Sequence, residues 1–495
     1  MKVQGIDYRQ VPRQNPLFVK FMSKCEEVSE FYSSPAPPSI DHILRRADAL
    51  LKKPNPFPRE RLAPLLTKFN RKIEAGDQVF SNIDKLSSPG TLAVVTGHQL
   101  GFLGGAAFTV YKAATAIRLA QILEEQGYST VPVFWLASDD SDFQEVRSTT
   151  FRNGKDELFS VTYPGHRENT PQMVGSIRLE AIEDCLKHLE VEGIKGDFSQ
   201  EVMALLRKCY QPQRLFQEGL GAWLSHLFRD HGLILFDSLS SYRSDLQPVF
   251  KIAIKKRQQL VRILQERGEL LKSQGFDPQV RVTDSESFLF FIELENRHKL
   301  EFRESSYRSQ SAPLLKFSDR QLLEIVERGR GKFGPNVLLR PIVQDWIFPT
   351  VAYIGGPSEV AYYAQVSAIS DWWKLEATVF PRVSVTVVQR KAQRLMRKYH
   401  LEMSDLFQNR SDDLARKILS SGESAEILQG FDDLRGRMQA GLSSLQMDVG
   451  KADSSVGEML VQAEKKIFYQ LGKVQDRFIA NQRIRSTTLG SHLDH

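Results

Sequence analysis

Residues Gly90–Gly105 read GTLAVVTGHQLGFLGG. Leu92 to Thr96 is an unbroken apolar or β-branched run that stops at Gly97. His98 and Gln99 follow, then glycines at 101, 104 and 105. From Phe108 to Leu123 apolar residues recur at helical spacing. This is the pattern of a buried strand, a tight glycine turn and a helix start. In an α/β sheet, ligands bind at the carboxyl end of such a strand, and the helix N-terminus favours anions. Glycines at that corner let a backbone approach a ligand closely.

Outward from this corner, the helix is expected to end near Gly127, and Val131–Ser138 (VPVFWLAS) is a second apolar run of strand length. Strand, helix and strand in this span make a βαβ unit with parallel strands. Ser138, Asp139, Asp140, Ser141 and Asp142 stand at the carboxyl end of the second strand, on the same sheet edge as His98. Gly232–Phe236 ending at Asp237, Asn336–Arg340, Thr350–Ile354 and Thr378–Phe380 read as further core strands. Residues 1–85 read as helices, one with Phe18, Phe21, Met22, Val28 and Phe31 on a face, another with Ile43, Leu44 and Leu50. Proline clusters at 35–38 and 54–58 break them.

Two stretches interrupt the core pattern. Residues 151–225 combine short alternating strands with helices, and the second stretch, 266–333, holds a small sheet with Asn296 and Arg297 at a turn. Residues 246–272 read as one charged amphipathic helix. The expected organisation is 1–150 as N-terminal helices and first core part, 151–225 as first insertion, 226–265 as core, 266–333 as second insertion, 334–387 as core and 388–495 as helical coiled coil. In that last segment Leu395, Leu401, Leu406 and Leu414 mark a first arm. The run from Leu442 to Phe478 keeps 3–4 spacing, with a stutter near Ile467, and marks a second. A polar break near Gly422 and Gly430 separates them, which predicts an antiparallel hairpin able to support a homodimer.

Composition bounds the function. A chain of 495 residues exceeds one core. With 41% hydrophobic and 25% charged residues it has the make-up of a soluble protein. A net charge of +6 points weakly to anionic small molecules and away from nucleic acid. Cys25, Cys185 and Cys209 are scattered, with neither metal nor disulfide spacing, which suits a reducing cytoplasm. The first residues lack the apolar core of a signal peptide, and no apolar run is long enough to span a membrane.

The candidate chemistry lies on one sheet edge. His98 and Gln99 can donate to a phosphate or carboxylate oxygen. Asp139, Asp140 and Asp142 read either as a solvated acidic turn or as carboxylates for an amine, for Mg²⁺ or for general base work. Lys112, Arg340 and Arg382 could balance that acid or grip a carboxylate. Gly355-Gly356-Pro357-Ser358, with Glu359 after it, is a second glycine turn at a helix start. The glycines fit neither a P-loop nor GxGxxG. No Ser–His–Asp set, HExxH or CxxC is present. The site is acidic on one side and anion-binding on the other, which suits joining a carboxylate to an amine.

The segments TGHQLGFLGG, VPVFWLASDDSDF, NVLLRPIVQDWIFPTVAYIGGPSEVAYYAQ and FPRVSVT together resemble the bacillithiol-biosynthesis cysteine ligase family, BshC, in order over nearly the whole chain. The resemblance implies an α/β, Rossmann-like parallel-sheet core with two connective insertions and a C-terminal antiparallel coiled coil supporting a homodimer. It implies addition of L-cysteine to glucosamine malate to form bacillithiol. The core is similar to class I adenylating enzymes, although GHQ is not their HxGH motif. The resemblance places Thr96, Gly97, His98, Gln99, Ser138, Asp139, Asp140, Asp142, Arg340, Gln344, Asp345, Gly355, Gly356, Glu359, Arg382 and Ser384 in the site. Ser141 stands where the family pattern carries His, and the chain stops at His495 where family members continue back to the core. The expectation is an ATP-dependent ligase, with ATP as co-substrate, Mg²⁺ as a possible companion and no protein-bound metal. His98, Asp139 and Asp140 are the expected catalytic residues. The alternatives are adenylation of another acid, and a scaffold that binds partners through its helical hairpin.

Overall fold

The run Leu92–Thr96 is the middle strand of a five-stranded parallel sheet. The strands in chain order are β1 (Leu92–His98), β2 (Thr130–Leu136), β3 (Ser148–Arg152), β4 (Leu158–Thr162), β5 (Ile234–Asp237), β6 (Glu286–Glu293), β7 (Asn296–Arg303), β8 (Ser306–Arg308), β9 (Lys316–Phe317), β10 (Phe333–Pro335), β11 (Thr350–Gly355) and β12 (Val379–Pro381). The computed structural model describes residues 3–33, 39–155, 157–164, 170–193, 196–329, 331–376, 378–408, 414, 417–419 and 425–485. The proline cluster 35–38, Gly422 and the last residues to His495 lie outside the described residues. The chain forms two compact units, Gln14–Val385 and Met1–Arg13 with Thr386–His495.

In the larger unit the sheet order is β12-β11-β1-β2-β5, with every pairing parallel. All of β2 and the first six residues of β1 are buried, as strands covered on both faces must be. Leu92 and Val94 pack with Ile43, Ala47, Ala116, Leu119 and Leu123. The edge strand β5 is closed by a side chain: Asn70 donates Nδ2 to Leu235 O at 2.8 Å and accepts from Leu235 N at 3.2 Å. This occupies backbone groups that would otherwise template another strand. Strand β1 leads to β2 on one side and β11 leads to β12 on the other, so the order reverses between β1 and β11. Register brings Thr96 opposite Ile354, Gly97 opposite Trp135 and Gly355 opposite Pro381, so the carboxyl ends share one edge.

Gly97 is required by its neighbour. A Cβ there would sit 2.8 Å from Trp135 O and 2.9 Å from Trp135 Cβ. Gly97→Ala should therefore destabilise the fold by roughly 1–3 kcal/mol, the usual cost of overpacking. Urea titration measures this; an unchanged midpoint would show that the strand pair yields freely.

The inserted regions carry their own sheets. β3 and β4 form an antiparallel hairpin, and β10-β6-β7-β8-β9 form a second five-stranded sheet. Several expected boundaries are corrected here. Asn336–Arg340 is not a strand: β10 lies just before it, Asn336 Oδ1 accepts from Leu338 N and Leu339 N at 3.0 Å each, and a helix spans Arg340–Ile347. The side chain of Asn336 supplies the turn, and Pro341 suits a first helical position. Asn296 and Arg297 open β7 instead of forming the turn before it. The expected 246–272 helix is two, Gln247–Lys255 and Arg257–Ser273. The first helix stops at Ser23, Cys25–Phe31 is 3₁₀, and Met22 is exposed.

In the smaller unit, helices Ala425–Ala452 and Ser454–Arg485 pack as an antiparallel pair. Phe431 lies 6.4 Å from Phe478, Arg435 donates to Gln475 at 3.4 Å, and Leu428 and Ile479 are buried together. The turn is at Asp453, inside the stretch expected to be one continuous arm. The apolar period runs straight through the turn, so spacing alone does not reveal it. Asp453 Oδ1 accepts from Val456 N at 3.3 Å and starts the second helix. Gly430 lies within the first of these helices, not at a break.

Candidate functional site

The crevice between the carboxyl ends of β1 and β11 is where an open α/β sheet binds ligands. Helix Phe108–Glu125 follows β1 and helix Pro357–Trp372 follows β11. Lys112, buried on the first helix, donates Nζ to Gly97 O at 2.8 Å and pairs with Glu359 Oε2. Glu359 Oε2 also accepts from Gly356 N at 2.8 Å, and Oε1 accepts from Tyr353 OH. Burial would raise the Glu359 carboxyl, but Lys112 and these donors hold it below the ordinary carboxylate range. The carboxylate thus sits at the N-terminus of its own helix, where an anion is favoured.

His98 stands at the mouth of this crevice. Its ring meets Phe108 edge-on at 4.9 Å, and Arg382 Cζ lies 5.5 Å from the same Phe108 ring. Burial pushes the imidazole down to about 4, with Lys112 and Arg382 adding and Glu359 opposing, so His98 is neutral at pH 7. Arg382 donates N to Gly355 O at 2.9 Å, and Nη1 to Val383 O at 3.0 Å and Ser384 Oγ at 2.9 Å. Arg340 donates to Gln344 Oε1 at 3.0 Å and Tyr362 OH at 2.8 Å, with Cζ 5.1 Å from the Tyr353 ring. Thr96 Oγ1 is spent on Ile354 O at 2.9 Å and ties β1 to β11.

The acidic turn after β2 forms a second cluster. Asp139 is buried; its Oδ1 accepts from Ser238 Oγ at 2.6 Å and its Oδ2 lies 3.3 Å from Arg243. Arg297 donates Nη1 to Asp139 O at 2.8 Å and lies 3.6 Å from Asp140 Oδ1. Burial alone would raise the Asp139 carboxyl, but Arg297 and Arg243 lower it and keep it ionised. Asp140 is more open: Gln99 Nε2 donates to its Oδ2 at 2.9 Å and to Glu145 at 2.7 Å. Asp142 caps the short helix Phe143–Val146, and buried Ser138 lies beside Asp237. Arg243, Arg297, Ser238 and Glu145 were not among the site residues expected from sequence. Each lies outside the motifs, and of the four only Arg297 carries a sequence signal, that of a turn residue.

Two features differ from expectation. Glycines 101, 104 and 105 do not leave their N–H groups for an anion. Gly101 N bonds Gln99 O, Gly104 N bonds Tyr210 OH and Gly105 N bonds Phe102 O. Gly101 and Gly105 approach each other closely, a Cβ on Gly101 lying 2.6 Å from Gly105 Cα, and a Cβ on Gly104 would lie 3.0 Å from the Trp223 ring. Asp345 is set apart from the crevice. Its carboxyl is hydrogen-bonded by Gln344 and by Thr350, the first residue of β11, and burial pushes it up to about 6.

Asp237, at the carboxyl end of β5, is likewise pushed up to about 6 by burial. A carboxyl raised on folding contributes stability below its unfolded value, and that contribution is lost as pH rises through about 6. Asp237→Asn should therefore gain on the native protein as pH rises from 4 to 7.5, by on the order of 2 kcal/mol. Parallel pH curves of unfolding free energy for the two proteins would refute this. Among the described residues no group of three His, Cys, Asp or Glu side chains converges as metal ligands, and no helix is long and apolar enough to cross a membrane.

The same residues lie inside two family matches. Residues 1–383 match the N-terminal Rossmann-like domain of bacillithiol biosynthesis BshC, and residues 385–494 match its C-terminal coiled-coil domain. The chain belongs to the BshC family. A relative from Koribacter versatilis (strain Ellin345) is 31% identical over 494 residues, covering 99% of this chain and 90% of its own length. One from Salinibacter ruber is 28% identical over 477 residues, covering 94% and 85%. One from Bacillus cytotoxicus is 28% identical over 422 residues, covering 84% and 78%. All three carry the name "Putative cysteine ligase BshC". The BshC match spans both units, so the parallel sheet, its insertions and the coiled coil all fall within the family's domains.

Proposed function

We propose that this chain is a cysteine ligase that joins L-cysteine to the amine of glucosamine malate and so makes bacillithiol. The observation that carries the reading is the pairing, on one sheet edge, of neutral His98 beside Arg382 with the carboxylate of Asp140 at the end of the neighbouring strand. The cysteine carboxylate is activated by ATP as an adenylate or acyl phosphate. The amine then attacks the acyl carbon, the C–N bond forms, the phosphate-bearing group leaves and the amine loses a proton. His98 and Arg382 meet the anionic groups, where prearranged donors stabilise developing charge. Asp140 faces the ammonium; Asp139 is committed to its two arginines. Mg²⁺ would arrive with the nucleotide, bound chiefly by phosphate oxygens and water.

The chain works in the cytoplasm in this reading, consistent with three buried, free thiols. It acts as a homodimer through the coiled coil, whose Leu445, Met459 and Val474 are 48%, 71% and 58% exposed in the single chain. Light scattering tests the dimer. The central experiment incubates the purified protein with cysteine, glucosamine malate, ATP and Mg²⁺ and follows bacillithiol by mass spectrometry. Product that disappears without ATP is the expected result. Product without ATP would require another activated donor. No product, but ATP–pyrophosphate exchange with another acid, would make the chain an adenylating enzyme of different substrate.

A further inference from the structure

We propose that Lys112 is a positioning residue: through the Gly97 carbonyl and the Glu359 carboxylate it latches the two walls of the crevice and fixes His98 for reaction. The inference deepens the ligase reading and rests on it for its kinetic part. Lys112 is 2% exposed and lies in a stripe of buried residues, Thr109, Ala116, Leu119 and Leu123, on its helix. An ammonium in that position needs full compensation. It receives this from both walls at once. Gly97 O belongs to the residue immediately before His98, and Glu359 holds Gly356 N and Tyr353 OH at the end of β11. One ammonium therefore spans β1 and β11 where the strand order reverses.

The spacing of the corner supports a latch more than a simple packing pair. A Cβ on Gly356 would lie 3.3 Å from Glu359 Oε2, 3.6 Å from Arg382 Nε and 4.0 Å from Lys112 Cε. Gly356 thus lets the carboxylate, the ammonium and the guanidinium crowd around one turn. The charged groups that act on His98 are Lys112 from helix Phe108–Glu125, Glu359 from helix Pro357–Trp372 and Arg382 after β12. Burial first, and then the two cations among these three, keep His98 from taking a proton, so it presents one N–H and one lone pair to a ligand. Lys112 touches no substrate in this scheme, being sealed behind Gly97. Without it, only Arg382 would oppose Glu359 at His98, and the turn after β1 would lose its only buried ammonium donor among the described residues.

The test uses the full chain with labelled histidine, following His98 protonation by NMR (assigned against His98→Asn) and ligation rates, both from pH 3 to 9. Lys112→Met should raise the His98 titration midpoint by about one pH unit or more. It should also lower kcat about a hundredfold, with KM changing far less and the acid limb of the rate profile moving up. Glu359→Gln, which is nearly isosteric, should lower the midpoint instead. The double variant removes both charges and should recover thermal stability towards the native value while remaining slow. An unmoved His98 midpoint in Lys112→Met overturns the latch. So does a double variant that recovers stability and turnover together, because the pair would then be structural only. If the native protein makes no bacillithiol, the ligase reading fails, and the His98 midpoints still decide the latch.

Discussion

Replacing Arg243 with methionine should cost the fold about 3 kcal/mol at pH 7, the lower end of what breaking a buried ion pair removes. Arg243 and Asp139 are 7% and 8% exposed, and the guanidinium lies 3.3 Å from the carboxylate. Methionine fills much of the same volume but leaves Asp139 with Ser238 Oγ and the more distant charge of Arg297. The loss should depend on pH in a definite direction. The folded Asp139 carboxyl is depressed, so its contribution is present above the unfolded carboxylate value and is lost as pH falls through the folded one. The penalty of Arg243→Met should therefore shrink below pH 4. Pairing it with Asp139→Asn should recover part of the loss at pH 7, since the double variant no longer buries an uncompensated charge. Urea unfolding of the four proteins at pH 7 and pH 3 measures both effects. A penalty below about 1 kcal/mol, or one that is equal at the two pH values, would show that Arg297 alone neutralises the turn.

That cluster also marks the boundary of what sequence reading reaches. Leu92–Thr96, Val131–Leu136 and Thr350–Ile354 are legible as parallel strands because a strand covered on both faces must be apolar at every position. The carboxyl-edge rule then gathers His98, Asp139, Asp140, Gly355 and Arg382 from distant parts of the chain. Arg243 and Arg297 escape it, because each meets Asp139 only through tertiary packing of an insertion or a 3₁₀ turn, with nothing local to announce it. Lys112 had a visible signal, a lysine inside the apolar stripe of its helix, and its meaning becomes clear only with Glu359 opposite. The glycines at 101 and 105 announce a turn correctly, yet spend their small size on each other, which spacing cannot distinguish from making room for a ligand. The hairpin turn at Asp453 is hidden for a related reason: a seam that keeps its period on both sides of a tight turn looks like one helix.

His98→Ala should lower turnover by about a hundred- to a thousandfold, the range associated with removing one prearranged group that meets developing charge. Stability should change little. The ring is half-buried at the mouth of the crevice and packs on Phe108, so its removal opens space to solvent instead of leaving a sealed cavity. The sign of the pH effect sharpens the expectation. The folded imidazole is depressed to about 4, so the native protein has its neutral form throughout the neutral range and loses it only in acid. A rate profile flat from pH 6 to 8 is therefore expected of the native enzyme as far as His98 is concerned, with loss only towards pH 4. His98→Gln keeps an amide donor near the same place and should retain more activity than the alanine variant, while His98→Lys introduces a charge beside Lys112 and Arg382 and should be the worst of the three. Single-turnover measurements with preformed activated cysteine would then separate the two half-reactions. If His98→Ala slows activation and spares the transfer to amine, the imidazole serves the phosphate side, next to Arg382. If transfer alone is slowed, His98 acts on the acyl oxygen, and the phosphate must be held by the arginines. Native turnover in His98→Ala would remove the crevice from the reaction and move attention to the Asp140 end of the sheet edge.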